Sequence, residues 1–422
     1  MNFDVLLRNL NGMIKIFFAA SIVLCFGLAA AAQRTTFMVA PQATDPQIDR
    51  SLENHYLAIN SSVTPKNQLF LFFAGTGGLP FNYQEINNTA ADLGFHTIAL
   101  NYPNDEAVNE LCGAPNTDLD CCGNVRLEIK DGTDRTALVN VNRPNSIENR
   151  LLKLLIYLRQ QRPGENWEQF LINESTVNWT KIVVSGHSQG GGHAGIIARF
   201  HPVLRAVMLA AYDFNFSVNA PVNWIARPET TPNASTPDKF WGFSHRRDEK
   251  VNFTILSTRV WPAYGMPQFG PVVNVDNALP PYANSHSLTS NIECGVFHGC
   301  VAGDVRLVRD QNGVPVYKPV WQYLMSNTPA PFGLVTLQFT RGGQADERPS
   351  VGRTTKNYKI ILRGGNFDAN SKVFINGTEA NTEPINETEL RASLPAGKFG
   401  RFGGTAVQVR AHSGQLSNTL SY

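Results

Sequence analysis

A glycine-rich segment in the middle of the chain restricts the possible folds more than any other feature. Residues 182–185 read Ile-Val-Val-Ser, residues 186–190 read Gly-His-Ser-Gln-Gly, and a largely apolar segment follows to residue 199. This pattern predicts a buried strand, a tight turn and a helix in direct succession. A side chain at either outer glycine would collide with neighbouring backbone, and the turn leaves Ser188 exposed above a sheet. Ser188 is therefore a candidate nucleophile and the Gln189 N–H a candidate oxyanion donor, with a plain glycine-rich turn as the alternative.

A second glycine-rich loop follows an early apolar run. Residues 68–73 are almost wholly apolar, which is typical of a strand covered on both faces, and residues 75–78 read Gly-Thr-Gly-Gly. A loop at this place in the chain order can supply the second oxyanion donor for a serine nucleophile. We predict that the Thr76 N–H, or that of Gly77, has this role. A simple turn is the alternative.

Helical and strand patterns alternate along the first three quarters of the chain. Apolar periodicity predicts a doubly wound, mostly parallel α/β sheet. The predicted helices are 83–93, 147–161 and 316–325, and the predicted strands are 68–73, 97–103, 179–185, 204–210 and 272–275. The polar segment 105–142 is interpreted as an insertion near the mouth of the site.

Two aspartates and two histidines compete for the roles of acid and base. Asp248 follows an aromatic segment that begins at Lys239, and Asp213 follows the preceding predicted strand. Of the histidines, His298 lies between two cysteines that could fix its loop, whereas His286 lies nearer the predicted last strand. General-base catalysis requires a fixed imidazole, so His298 is selected. Asp248 is selected because it lies between the nucleophile and the histidine in chain order. Asp213 and His286 remain open as alternatives.

The first 32 residues have the features of a cleavable signal peptide. Basic residues precede an apolar run at 16–28, and small residues follow up to Ala32. We expect cleavage near Ala32, no stable membrane span afterwards, and a secreted, periplasmic or cell-surface protein; an uncleaved anchor is the alternative.

Five of the six cysteines lie beyond this segment, and an oxidising compartment favours disulfides. Cys294 can pair with Cys300, and Cys112 with either Cys121 or Cys122. The absence of a C-x-x-C pair gives no reason to expect a metal, and the chemistry proposed for Ser188 needs no cofactor. A formal net charge of +2 with 17% charged residues also predicts no nucleic-acid partner.

Residues 68–325 resemble the α/β-hydrolase superfamily. The resemblance rests on the Gly-His-Ser-Gln-Gly turn, the Gly-Thr-Gly-Gly loop and the chain order Ser188, Asp248, His298. It implies a Ser-His-Asp triad, with Gln189 and Thr76 as the oxyanion hole. The loop begins Ala74-Gly75 and lacks the His-Gly start that is common in lipases.

The character of the sequence changes near residue 330, where short alternating strands separated by turns predict an antiparallel sandwich. Residues 361–367 (Ile-Leu-Arg-Gly-Gly-Asn-Phe), 373–377, 390–395 and 414–418 resemble the IPT/TIG type of Ig-like domain. The predicted organisation is a signal peptide (1–32), an α/β-hydrolase domain (33–329) and a small all-β Ig-like sandwich (330–422).

Together these features predict an exported serine hydrolase that forms an acyl-enzyme, with a small-molecule or polymeric carboxylic ester as substrate. The alternative is a catalytically inactive secreted or cell-surface binding or adhesion protein. In that case the Ig-like domain, with a polysaccharide or surface partner, would be the functional part.

Overall fold

The computed structural model describes residues 34–226, 234–326, 333–341, 344–345, 358–365, 367–386, 389–394, 406–410, 417 and 420–421. The predicted signal peptide lies outside these residues. Within the described part of the chain, no helix has the length and apolar character needed to cross a membrane.

The first part of the chain is built on a nine-stranded sheet. Its strands are β1 (Arg34–Val39), β2 (His55–Asn60), β3 (Leu69–Phe73), β4 (His96–Leu100), β5 (Ile182–His187), β6 (Arg205–Leu209), β7 (Phe240–His245), β8 (Val273–Asn274) and β9 (Ser287–Ser290). Their order across the sheet is β1-β2-β4-β3-β5-β6-β7-β9-β8. Only β2 pairs antiparallel, with β1 and with β4, and all other neighbours are parallel.

Among the described residues, five regular α-helices of eight or more residues accompany this sheet: α1 (Gln84–Asp92), α2 (Cys121–Asp131), α3 (Ile147–Gln161), α4 (Gln189–Phe200) and α5 (Lys318–Ser326). The segment 253–263 is also helical and contains a π-helical turn at Leu256–Val260. Shorter α-helical turns lie at Pro41–Thr44, Val108–Leu111 and Asn223–Ala226. The start of α3 is set by Ser146, whose side chain accepts a hydrogen bond from the Asn149 N–H.

The central strand β3 shows why the sheet is covered on both faces. Its five residues are all fully buried. Leu69, Leu71 and Phe73 belong to one apolar cluster, while Phe70 and Phe72 belong to a second. Because successive side chains of a strand point to opposite faces, these two clusters are the two covered faces of the sheet. The predicted mostly parallel α/β sheet is thus present.

The edges of the sheet differ from the prediction. The segment predicted as the last strand, 272–275, forms only the two-residue β8 at one edge, and the later β9 separates it from β7. At the other edge, β1 and β2 were not predicted. Three residues of β1 are exposed and only Val39 is buried, so this edge strand lacks the apolar pattern of the interior strands.

The C-terminal part contains two antiparallel sheets. One contains β10 (Gly333–Arg341), β11 (Gln344–Ala345), β12 (Tyr358–Gly365), β15 (Asn381–Asn386) and β16 (Glu389–Leu394); the other contains β13 (Lys372–Ile375), β14 (Thr378–Glu379), β17 (Ala406–Arg410) and β18 (Leu420–Ser421). Buried side chains from both sheets, among them Ile360, Leu390, Val373 and Val407, form one core. This is the arrangement of a sandwich, as the sequence predicted.

Candidate active site

Ser188 occupies a strained turn between β5 and α4. Its backbone has φ 55° and ψ −121°, and a positive φ is uncommon for a residue other than glycine. A Cβ added at Gly186 would lie 2.2 Å from the carbonyl carbon of Gly190, and one added at Gly190 would lie 2.1 Å from the carbonyl oxygen of Phe73. Both positions therefore require glycine. The turn holds Ser188 at the carboxyl edge of the parallel strands, where ligands bind in open α/β sheets.

The loop after β3 lies beside this turn. The Thr76 hydroxyl donates a hydrogen bond to Gln189 Oε1 at 2.7 Å, so the loop and the first residue of α4 are joined directly. Gly77 N–H donates to the Asn104 carbonyl oxygen at 2.9 Å, whereas Thr76 N–H has no hydrogen-bond partner among the described residues. The Gln189 N–H lies in the first turn of α4, where a helix leaves N–H groups without an intrahelical acceptor. Of the two N–H groups considered for this loop, that of Thr76 is the one still available.

Asn104, which follows β4, fixes the same loop and was missed in the sequence. Its side-chain amide donates to the carbonyl oxygens of Gly75 at 2.7 Å and Gly78 at 2.9 Å. The loop is thus held by its neighbour strand. No local signal marks this role, because an Asn after a strand is an ordinary turn residue.

Asp248 and His298 form a hydrogen-bonded pair. His298 Nδ1 lies 2.9 Å from Asp248 Oδ1 and 3.0 Å from Oδ2. The Asp248 side chain is fully buried, and its Oδ1 also accepts from the N–H groups of Lys250 and Val251, both at 2.8 Å. Because a carboxylate can only accept, Nδ1 carries the proton and Nε2 is the ring nitrogen left to take another.

Two further contacts fix the His298 loop. Cys294 and Cys300 form a disulfide around it, and Glu249 Oε2 accepts from the His298 N–H at 3.1 Å. The other predicted pairing resolves to Cys112 with Cys121, which leaves Cys122 as a buried free thiol.

Asp213 lies in a different environment from Asp248. It is fully buried and forms two bonds to Arg126, Nε to Oδ2 at 2.5 Å and Nη2 to Oδ1 at 2.6 Å, and it also accepts from Trp224 Nε1 at 3.0 Å. Burial alone lowers the pKa of Arg126, but the charge of Asp213 raises it overall above its usual value. Arg126 Nη1 also donates to the Gln189 carbonyl oxygen at 2.9 Å, so the Asp213–Arg126 ion pair helps to fix the backbone next to Ser188.

His286 likewise lies outside the cleft that Ser188 lines. Its ring stacks on Trp241 and Phe269, and its Nδ1 lies 3.0 Å from the Phe240 carbonyl oxygen. Burial lowers the pKa of His286 to about 4. It does not line the cleft described next, whereas His298 does.

Ser188 and His298 open into one cleft of about 780 Å³, within the size range of small-molecule sites. Thr76, Gln189 and Arg126 also line it. The rim carries the exposed carboxylates of Asp105, Glu106 and Glu110, the ammonium of Lys250, and the aromatic rings of Tyr212 and Phe216. The predicted insertion 105–142 thus does contribute to the mouth of the cleft.

Three tryptophans of the first part of the chain do not line the cleft. Trp224, Trp241 and Trp261 are each buried in the core, and the cleft takes its aromatic surface from Tyr83, Tyr212 and Phe216 instead. Phe216 was missed although it is 57% exposed, since exposure cannot be read from composition.

Among the described residues, no group of three or more His, Cys, Asp or Glu side chains is placed to hold a metal ion. The arrangement of the cleft can instead support nucleophilic chemistry. It brings a hydroxyl on a strained turn, a histidine paired with a buried carboxylate, and two backbone N–H donors to one place.

Comparisons with known proteins give one similar structure and one matching domain family. A structure from Klebsiella pneumoniae subsp. pneumoniae, whose assignment as a dienelactone hydrolase is itself provisional, is 13% identical; the match covers 69% of this chain and 97% of that one, with a TM-score of 0.36. No curated protein matches the chain. The IPT/TIG domain family matches residues 348–422, and the Ig-like module expected from the sequence is therefore an IPT/TIG domain over these residues.

Proposed function

We propose that the chain is an exported serine hydrolase of the α/β-hydrolase type that cleaves a carboxylic ester. The observation that carries the proposal is the Asp248–His298 pair in the same cleft as Ser188. Structural ion pairs also occur in proteins, but this one lies beside a serine held at a strained backbone conformation. The strand order, with the serine directly after β5 at the centre of the sheet, is further support.

The proposed reaction begins at Ser188. His298 Nε2 removes the hydroxyl proton as Ser188 Oγ attacks the ester carbonyl carbon, and the N–H groups of Thr76 and Gln189 donate to the resulting oxyanion. The imidazolium, stabilised through Nδ1 by Asp248, then protonates the leaving alkoxide. In the second half of the reaction, water activated by the same histidine attacks the acyl-enzyme, and the acid and free Ser188 are released.

Ser188→Ala tests this proposal against a matched control three residues earlier, in the strand β5 that leads into the turn. Ser185 is fully buried, and its hydroxyl has no hydrogen-bond partner among the described residues, so Ser185→Ala removes an unused hydroxyl. We expect Ser188→Ala to abolish ester turnover while both variants unfold at nearly the wild-type temperature. Ester turnover by folded Ser188→Ala above a few per cent of wild type would contradict the assignment.

Export and the choice of ester remain proposals. The two disulfides and the IPT/TIG domain are compatible with an extracellular location. An ester series from short acyl chains to insoluble polyesters would define the substrate.

A binding role for the IPT/TIG domain, toward a polysaccharide or a surface, is tested by comparing how much of the full chain is retained on such a material with how much is retained of a variant lacking residues 330–422. If the full chain binds such a material and turns over no ester, the binding-protein alternative is favoured.

A further inference from the structure

A chain of three hydrogen bonds connects the loop after β3 with the His298 loop. Gly75 N–H donates to the Tyr83 hydroxyl oxygen at 3.3 Å, and the Tyr83 hydroxyl lies 3.0 Å from His187 Nδ1. His187 Nε2 in turn lies 2.8 Å from the carbonyl oxygen of His298. His187 directly precedes Ser188, so the chain passes through the turn that holds the candidate nucleophile.

The direction of each hydrogen bond follows from the groups involved. A carbonyl oxygen can only accept, so the proton of His187 is on Nε2 and is donated to His298. A neutral imidazole has one ring proton, and Nδ1 must then accept from the Tyr83 hydroxyl. That hydroxyl oxygen accepts from Gly75 N–H at the same time. Each of the three donors in this series of hydrogen bonds therefore has an acceptor, and one tautomer of His187 satisfies all three contacts.

The ionisation states keep this pattern constant. Burial lowers the pKa of His187 to about 3, with the neighbouring His298 as a second cause. Burial likewise raises the pKa of Tyr83 to about 12. Both side chains are thus neutral near pH 7.

The His298 loop depends on anchors of this kind because little of it is buried. Of residues 294–300, only Cys300 is buried. The side chain of His298 is held by Asp248 and its N–H by Glu249, which leaves its carbonyl side to be held by His187. A displacement of about 1 Å in a catalytic group can reduce a rate by roughly 10²-fold. If the loop were held on one side alone, the His298 imidazole would be poorly positioned to act as a base.

We propose that His187 and Tyr83 are positioning residues, which fix the His298 loop and the Thr76 loop in one geometry relative to Ser188. This inference rests on the proposed hydrolase function. A purely structural reading, in which the two side chains only satisfy buried polar groups, predicts losses of stability without a specific loss of kcat.

Two amide substitutions of His187 separate these readings. The amide nitrogen of Gln overlaps the position of Nε2 and can still donate to His298, whereas the amide of Asn overlaps Nδ1 and cannot reach that carbonyl. We expect His187→Asn to lower kcat at least 10-fold with KM within about threefold, and His187→Gln to recover most of that loss. His286→Asn, which removes a buried histidine outside the cleft, is the matched control for general packing effects.

Tyr83→Phe tests the hydrogen bonds on the Gly75 side of His187. It keeps the ring and removes the hydroxyl that joins Gly75 to His187, and we expect a kcat loss between those of the Gln and Asn variants. Nitrogen-15 NMR of the histidine rings provides a readout independent of activity: wild-type His187 should be the Nε2–H tautomer at pH 7, and its Nδ1 signal should shift in Tyr83→Phe.

The outcomes separate this inference from the proposed function. If wild type neither turns over esters nor reacts with a fluorophosphonate, the proposed function fails, and with it the positioning role. If wild type is active but His187→Asn and His187→Gln have equal kcat after correction for folded fraction, the positioning role is wrong. A His187 in the Nδ1–H tautomer would also overturn it.

Discussion

The two candidate aspartates should fail in different ways when each is replaced by Asn. Asp213→Asn removes the carboxylate charge that pairs with the guanidinium of Arg126, whose side chain is 2% exposed. Asp248→Asn removes the carboxylate that orients His298, yet an Asn oxygen can still accept from the N–H groups of Lys250 and Val251. The first substitution should therefore act on stability and the second on catalysis.

The magnitudes follow from burial and hydrogen bonding. Leaving one member of a buried ion pair unpaired costs about 3–5 kcal/mol, which corresponds to a Tm decrease of roughly 5–8 °C for a domain of about 300 residues. Asp248→Asn keeps its backbone contacts, so we expect a change of less than about 2 kcal/mol in the free energy of unfolding. Its kcat should fall roughly 10³- to 10⁴-fold, because the histidine would adopt the wrong tautomer.

The assay pairs thermal unfolding, followed by circular dichroism, with ester turnover at a temperature at which both variants are folded. We expect Asp213→Asn to keep kcat within about tenfold of wild type, since Arg126 still reaches the Gln189 carbonyl oxygen. If Asp213→Asn unfolds at the wild-type temperature, or Asp248→Asn keeps more than a tenth of wild-type kcat, the reasoning is refuted.

Two other predictions concern pH and the disulfides. Burial lowers the pKa values of His55 and His187 to about 3 and of His286 to about 4, so between pH 6.5 and 4 these three histidines bind more protons in the unfolded chain than in the folded one, whereas Asp304, whose pKa burial raises to about 6, acts in the opposite direction as a single group. In urea titrations, the free energy of unfolding should be highest above pH 6.5 and should fall toward pH 4. The decrease should be less steep in His286→Asn. Equal urea midpoints of the wild type at pH 7 and pH 4.5 would contradict this. Replacing Cys294 and Cys300 by Ser should lower kcat several-fold at nearly constant KM, whereas replacing Cys112 and Cys121, next to the rim segment 105–111, should change mainly KM; steady-state kinetics showing the reverse would contradict the assignment of the two loops.

The parts of the site that could be predicted from sequence are those determined by neighbouring residues. The turn at Ser188 needs a strand, two glycines and a helix within about 20 residues, and all of these are visible in one segment. The interior strands β3, β4, β5 and β6 were found because they are buried and rich in apolar residues. The interior strands β2 and β9 were missed although they are also buried. The edge strand β1, partly exposed, lacks that pattern and was missed.

The remaining features depend on contacts between distant residues. Asp213 and Asp248 each follow a parallel strand, and what distinguishes them is Arg126, which lies 87 residues before Asp213. The role inferred for His187 depends on Tyr83 and His298, which are 104 and 111 residues away. No periodicity or motif records such contacts. Sequence reasoning could narrow the acid and base to two candidates each and could favour His298 from its flanking cysteines, but it could not detect the contacts with Arg126, Tyr83 and His187 that distinguish the candidates.

The most direct test of the central claim is the reaction of the purified protein with a fluorophosphonate probe, followed by peptide mapping. A fluorophosphonate reacts quickly only with a serine whose proton is removed by a neighbouring base. Our account predicts rapid modification of Ser188, with labelling strongly slowed in His298→Ala and unchanged in Ser185→Ala. Folded wild-type protein that remains unlabelled, or is labelled at another serine, would contradict it.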